Sequence, residues 1–243
     1  LQLTGSFKIR GAFNKLAMMD DKRRKNGVVA ASAGNHAQGL AYAAQHFGCE
    51  ATIFMPEATP LTKVSGVKSY GANVVLVGEN FDEAYATATK SALDNDKEFI
   101  HPFADDAVIA GQGTIALEIL EKIEDIEHII VPIGGGGLIS GIAIAAKAIN
   151  PNIKITGVVA SGARGMKDSF EARMPIDSAS VKTIADGIAV RDVTPKLLDI
   201  ILEYVDQIVE VTDNETANAI LFLLEKHKLV VEGAGAVATA AIM

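Results

Sequence analysis

The sequence predicts an α/β protein with two open parallel-type sheets flanked by helices, and three observations carry that expectation. Short β-rich runs alternate with helical patterns along the chain. An uncharged strand-like run enters four consecutive glycines, Gly134 to Gly137, and leaves as an apolar helix. A second strand-to-helix junction, Ser32-Ala33-Gly34-Asn35-His36, is built from small and polar residues. Alternation of this kind builds βαβ units, whose helices cover both faces of parallel strands.

In order, the pattern predicts strands over 28–32, 51–55, 73–77, 129–133, 154–159 and 207–211. Helices are expected over 6–18, 35–47, 60–70, 81–95, 111–123, 138–149 and 213–227. Gly48 is placed to end the second helix in a left-handed cap, and Thr212 or Asp213 to start the last. The basic run Lys22-Arg23-Arg24-Lys25 reads as a solvated helix end. The uncharged stretch 129–146 approaches the length of a membrane helix, but Pro132 and the glycines would break one. Strand, glycine turn and buried helix is the reading that fits.

The 243 residues suffice for one large or two small domains. An apolar content of 49% with 21% charged residues excludes a disordered chain. A net charge of −8 excludes the basic stripe of a nucleic-acid surface, and no membrane segment is expected. The single cysteine, Cys49, cannot form an internal disulfide. Its place at the head of an apolar run predicts a small buried core residue in a reducing cytoplasm. The chain opens on Leu1 within a motif and closes in the apolar run 236–243, so it reads as an internal fragment of a longer protein.

Three blocks carry chemistry. The tetraglycine turn has no Cβ atoms, so its backbone can aim several N–H groups at one anion, helped by the helix N-terminus that follows. That predicts a phosphate site without naming the phosphate. A dinucleotide fits poorly: Ile139 and Ser140 stand where a third glycine is needed, and the next strand ends Val158-Val159-Ala160-Ser161 without a ribose-binding acid. No G-x-x-x-x-G-K-[ST] run exists either. Lys8, in Gly5-Ser6-Phe7-Lys8-Ile9-Arg10-Gly11-Ala12, offers an amine beside the apolar wall of Phe7. A lysine amine, with a free pKa of about 10.4, becomes a nucleophile only when desolvated or set near other cations. In Ser32-Ala33-Gly34-Asn35-His36 the backbone donors of a helix start suit a carboxylate. An ordinary N-cap by Ser32 or Asn35 is the competing reading.

Together these blocks resemble the fold-type II pyridoxal-phosphate enzymes, with a tryptophan synthase β-like fold, and among them the threonine/serine dehydratases. The resemblance runs from Leu1 to Met243 and implies pyridoxal 5'-phosphate as cofactor. It implies a larger cofactor domain formed by 1–25 and 101–243, incomplete at both ends, with a smaller domain, 26–100, inserted. By the same resemblance Lys8 is the catalytic lysine that binds the cofactor, and Phe7 packs near the cofactor ring. Asn35 bonds the ring oxygen, and Gly134, Gly135, Gly136, Gly137 and Leu138 hold the phosphate. Gly187, in Thr183-Ile184-Ala185-Asp186-Gly187, and Glu232, in Val231-Glu232-Gly233-Ala234-Gly235-Ala236, line the pocket. Ser32, Ala33, Gly34, Asn35 and His36 receive the substrate carboxylate. Arg10 and Asn14 are assigned no role, and His36 is expected to be packed or solvated rather than a base.

The implied reaction is β-elimination of L-threonine, and of L-serine, to 2-oxobutanoate (pyruvate) and ammonia, with Lys8 removing the α-proton. Similar racemases carry a serine at the position of Ala33, which serves the opposite face; alanine has no proton to give, so a one-base eliminase is expected. A serine racemase/dehydratase of the same fold is the alternative, as is a non-catalytic cofactor-binding fragment. Cysteine-making synthases fit less well, since threonine usually stands where His36 does. Many relatives bind a cation near the positions of Ser161, Gly165 and Lys167. Without carboxylates there, no metal is expected, and the Lys167 ammonium stands in for its charge. The family resemblance also implies a small-molecule amino-acid substrate, a homo-oligomer (dimer or tetramer) and a cytoplasmic location.

Overall fold

The structure, a computed structural model, describes residues 3–243 and divides at Gln112/Gly113 into two compact units. Leu1 and Gln2, which open the expected larger domain, lie outside the described residues.

The first unit carries a four-stranded parallel sheet in the order β3-β2-β1-β4, formed by β1 (Val28–Ala31), β2 (Ala51–Met55), β3 (Asn73–Leu76) and β4 (Glu98–Phe99). Its helices are α1 (Lys8–Met18), α2 (Asp21–Asn26), α3 (Asn35–Phe47), α4 (Leu61–Lys68) and α5 (Phe81–Asp94), with the start of α6 (Asp106–Lys122). Side chains alternate across a strand, and the two faces have separate cores. Val28, Ala30, Ile53 and Met55 pack with Leu16 of α1, Leu40 of α3 and Val64 of α4. Val29, Ala31 and Phe54 pack instead against Ala88 and Ala92, spaced four apart on α5. A sheet covered on both faces explains why β1 is buried at every position.

The second unit holds a three-stranded parallel sheet, β5-β6-β7, from β5 (His128–Pro132), β6 (Lys154–Ala160) and β7 (Gln207–Val211). Ile155 and Val159 of β6 face α7 (Gly137–Ile149), α8 (Gly165–Ala172) and α9 (Pro195–Tyr204), where Ile139, Met166 and Ile201 complete the core. Val158 and Ala160 face α10 (Asp213–Phe222) and α11 (Gly233–Ala240). A Cβ on Gly157 would sit 2.2 Å from the Ile133 Cδ1, so the central strand yields its side-chain space to the residue that leads into the glycine turn.

The two parallel sheets agree with the expected fold class. Several elements differ from expectation. α6 starts five residues earlier than the sequence suggested, because the Asp105 carboxylate accepts from the N–H groups of Ala107 and Val108 and caps it. The basic run is a separate helix, α2, capped by Asp20, with Arg24 lying over the Phe47 ring and donating to the Leu16 carbonyl. The final helical run splits into α10 and a π-turn over Leu223–His227. Cys49 is not a buried strand residue: it lies half-buried before β2 and its thiol donates to the Arg24 carbonyl. Among the described residues, no helix is long and apolar enough to cross a membrane.

Candidate active site

The first unit positions the amine and the polar loop. Lys8 is the first residue of α1, and a Ser6 hydroxyl accepts from its backbone N–H. Its Nζ donates to the Pro102 carbonyl at 2.8 Å and lies 5.4 Å from the centre of the Phe7 ring. Burial lowers its pKa to about 8, because an ammonium loses solvation that the surroundings do not replace. Lys8 therefore supplies a neutral amine at much lower pH than a surface lysine would.

Two glycines hold α1 in place. A Cβ on Gly39 of α3 would sit 2.9 Å from the Ile9 nitrogen and 3.0 Å from the Lys8 carbonyl carbon. A Cβ on Gly111 of α6 would sit 2.5 Å from the Arg10 carbonyl oxygen. Backbone meets backbone on both sides, so the lysine is fixed by its helix. Asn14, on the same helix, donates to the Ala107 carbonyl at 2.7 Å, a structural tie.

The polar loop leaves β1 through Ser32, whose hydroxyl accepts from the Gly34 N–H at 3.2 Å. Gly34 is the N-cap of α3, and no side chain caps the helix, so the expected competing reading of an N-cap by Ser32 or Asn35 does not hold. A Cβ on Gly34 would meet nothing within 4 Å. The loop thus enters α3 at the positive end of a 13-residue helix. Ala33 is half-buried and leans on the core. The His36 side chain is packed, 3% exposed, with Nε2 2.9 Å from the Ile100 carbonyl. Burial, then the charge of Lys8, lowers its pKa to about 3.

The second unit positions the anion cradle and a carboxylate. β5 delivers the chain to the tetraglycine turn, and Gly136 takes φ 96° as the N-cap of α7. That left-handed value is costly for residues with a Cβ, so this glycine is required. No side chain caps α7 either. A Cβ on Gly134 would lie 3.0 Å from the Ile188 Cα, which seats the turn against the 3-10 turn Asp186–Ile188. Gly187 of that turn lies beside Glu232, the N-cap of α11: a Cβ there would sit 3.3 Å from the carboxylate Oε1 and 2.9 Å from the Ala234 Cβ. Gly134, Gly187 and Glu232, about one hundred residues apart at the extremes, are therefore neighbours.

Elsewhere in this unit Lys167 Nζ lies 3.1 Å from Glu210 Oε2, and Arg164 meets the same oxygen at 3.2 Å. Two residues near Lys8 escaped the sequence reading. Pro102 supplies a carbonyl, which leaves no trace in residue type. His101 accepts at Nδ1 from the N–H groups of Phe103 and Ala104, and burial, then the Lys8 charge, lowers its pKa to about 4.

The desolvated amine belongs to the first unit and the glycine turn with its required positive φ to the second; each by itself suits one part of an aldehyde-bearing phosphate ester. Comparison with known proteins agrees. The family described as pyridoxal-phosphate dependent enzymes matches residues 1–243, and the chain belongs to it. An L-threonine ammonia-lyase of Thermotoga maritima is 50% identical over the whole chain, which covers 61% of that protein. Among solved structures, the processed form of threonine deaminase isoform 2 from Solanum lycopersicum superposes with a TM-score of 0.96 at 40% identity. The match covers 98% of this chain and 70% of that one. Maize serine racemase gives a TM-score of 0.95 at 38% identity, covering 99% and 73%. The chain thus spans about three fifths of the length of the curated relative.

Proposed function

We propose that this chain forms the catalytic core of a threonine ammonia-lyase, converting L-threonine to 2-oxobutanoate, and L-serine to pyruvate, with release of ammonia; the water lost by β-elimination is taken up again when the resulting imine hydrolyses. The observation that carries the reading is Lys8: an amine desolvated to a pKa of about 8 at the head of a helix locked between two others. By the family resemblance, the residues that would hold pyridoxal phosphate are Lys8, Phe7, Asn35, Gly134, Gly135, Gly136, Gly137, Leu138, Gly187 and Glu232. When bound it supplies an electron sink that acidifies the substrate Cα–H.

The chain's own residues do the rest. The loop Ser32 to His36, at the positive end of α3, binds the substrate carboxylate and orients the Cα–H. Lys8, neutral above pH about 8, takes that proton at Nζ, and its Pro102 partner accepts from the resulting ammonium. Glu232 stands at the N-cap of α11, the positive end of that helix. Ala33 offers no proton to the opposite face, which favours elimination over racemisation. The similarity to maize serine racemase keeps a racemase as the second reading, and Ala33 weighs against it.

The wider reading is of a cytoplasmic homo-oligomer whose larger domain comprises 1–25 and 101–243, with 26–100 inserted. The Lys167 ammonium takes the place of a bound cation; its contact with Glu210 supports this. The test is product analysis with L-threonine and L-serine as substrates. 2-Oxo acid with no D-enantiomer is expected, and D-serine as the main product would replace this reading with the racemase.

A further inference from the structure

We propose that His36 is a positioning residue for Lys8: by donating its Nε2–H to the Ile100 carbonyl it fixes the Ile100–Pro102 segment, whose Pro102 carbonyl holds the Lys8 amine. The proposal rests on Lys8 being the cofactor lysine and gives the side chain of His36 a task of its own.

The Ile100 side chain is buried in the core and the His101 ring packs against Phe103, but few hydrogen bonds hold the segment's backbone. β4 is two residues long, and the sheet follows the chain only one residue further, through Ile100 N–H to the Val29 carbonyl at 2.8 Å. Pro102 has no N–H with which to anchor itself. Between them, His101 folds its Nδ1 back onto the N–H groups of Phe103 and Ala104. The Ile100 carbonyl is thus the point at which a neighbouring element grips the segment, and His36 makes that contact at 2.9 Å. Lys8 makes the other, two residues on, at 2.8 Å.

The state of the ring follows from the same contact. A carbonyl only accepts, so Nε2 carries the proton and Nδ1 is a bare acceptor. Nδ1 is buried with no partner among the described residues. A ring kept only to fill space would be better replaced by an apolar residue, which leaves no acceptor stranded. The imidazole is accounted for by its donating edge. The titratable groups around Lys8 are His36 from α3 and His101 from the segment itself, both held neutral by burial and by the lysine's own charge. Asp105, beyond His101, is occupied by Lys15 at 2.7 Å. No carboxylate among these is available to restore the lysine to its ordinary basicity.

The test reads Lys8 directly in the full chain freed of cofactor, by limiting acylation across pH and peptide mass mapping, with the other lysines as internal reference. Wild type should label with a midpoint of about 8. His36→Leu keeps the bulk but not the donor. The segment then loosens, water reaches the amine, and the midpoint should rise by at least about one unit, cutting labelling at pH 8 about fivefold. His36→Gln, which can still donate to Ile100, should label within about twofold of wild type. A His36→Leu protein that labels like wild type, or a His36→Gln protein that behaves like His36→Leu, overturns the proposal. If His36→Leu does not fold, nitrogen NMR of wild type takes over: a neutral Nε2–H tautomer at pH 6 is required, and a Nδ1–H tautomer or an imidazolium refutes it. Acylation does not depend on whether Lys8 takes pyridoxal phosphate, so failure here and failure of the cofactor assignment are separate outcomes.

Discussion

Gly111 of α6 lies so close to Gly11 of α1 that a Cβ at position 111 would sit 2.6 Å from the Gly11 Cα. With Gly39 on the other side, this crossing sets the position of Lys8 through the backbone of its helix. A glycine inside a helix costs about 1 kcal/mol relative to alanine. Its presence in the middle of α6 is explained by the contact.

Gly111→Ala tests that balance. The gain in helix propensity is about 1 kcal/mol, while overpacking against backbone atoms costs about 3 kcal/mol. The contact wins, and a net loss of about 2 kcal/mol is expected in urea unfolding, with weaker cofactor binding. A variant as stable as wild type would mean that the helices separate at no cost.

Lys8 makes stability depend on pH with a definite sign. Its folded pKa, about 8, lies below the ordinary 10.5, so the unfolded chain binds the proton more tightly between those values. The penalty for the buried ammonium is fully present below pH 8 and is relieved as pH rises toward 10.5. Without cofactor, the wild type should gain on the order of 1–3 kcal/mol relative to Lys8→Met across that window. Parallel pH profiles for the two proteins would contradict a desolvated Lys8.

Under the proposed function, Ala33→Ser would introduce a hydroxyl on the face opposite the lysine. Wild type should convert L-serine to pyruvate with no D-serine, and the variant should form D-serine measurably while keeping elimination within about tenfold. Chiral chromatography of the products reads both. D-serine from the wild type would show that the second proton donor is another residue.

Gly187→Ala places a methyl group 2.9 Å from the Ala234 Cβ and 3.3 Å from the Glu232 carboxylate. The carboxylate must move, and affinity for pyridoxal phosphate should fall about tenfold, measured by absorbance titration. Unchanged affinity would remove Gly187 and Glu232 from the cofactor pocket.

Much of this was legible in the sequence for identifiable reasons. The helix Asn35–Phe47 was readable to its last residue because Gly48 adopts φ 62°, the left-handed cap that the glycine announced. Of the two caps expected, Thr212 or Asp213, it is Thr212 that caps α10, in a capping box with Glu215. β4 was missed because two residues show no periodicity. The helix expected from Gly111 starts five residues earlier because the Asp105 cap was not read from the sequence; Gly111 and Gly113 are points of close approach in the fold. α9 carried an unused signal, Pro195 at its first turn followed by apolar Leu197, Leu198 and Ile201. The site was legible wherever residue type carries chemistry, as at Lys8 and the glycine turn. It was not legible at Pro102, which acts through its carbonyl, nor in the burial of His36, which depends on what β4 brings beside it.

The most direct test of the central claim is borohydride reduction of the protein with pyridoxal phosphate, followed by peptide mapping, with Lys8→Ala alongside. The account predicts a visible absorbance band in wild type that reduction abolishes, a pyridoxyl adduct on Lys8, and neither in the variant. A folded wild type with no band, or an adduct mapped to another lysine, would contradict it.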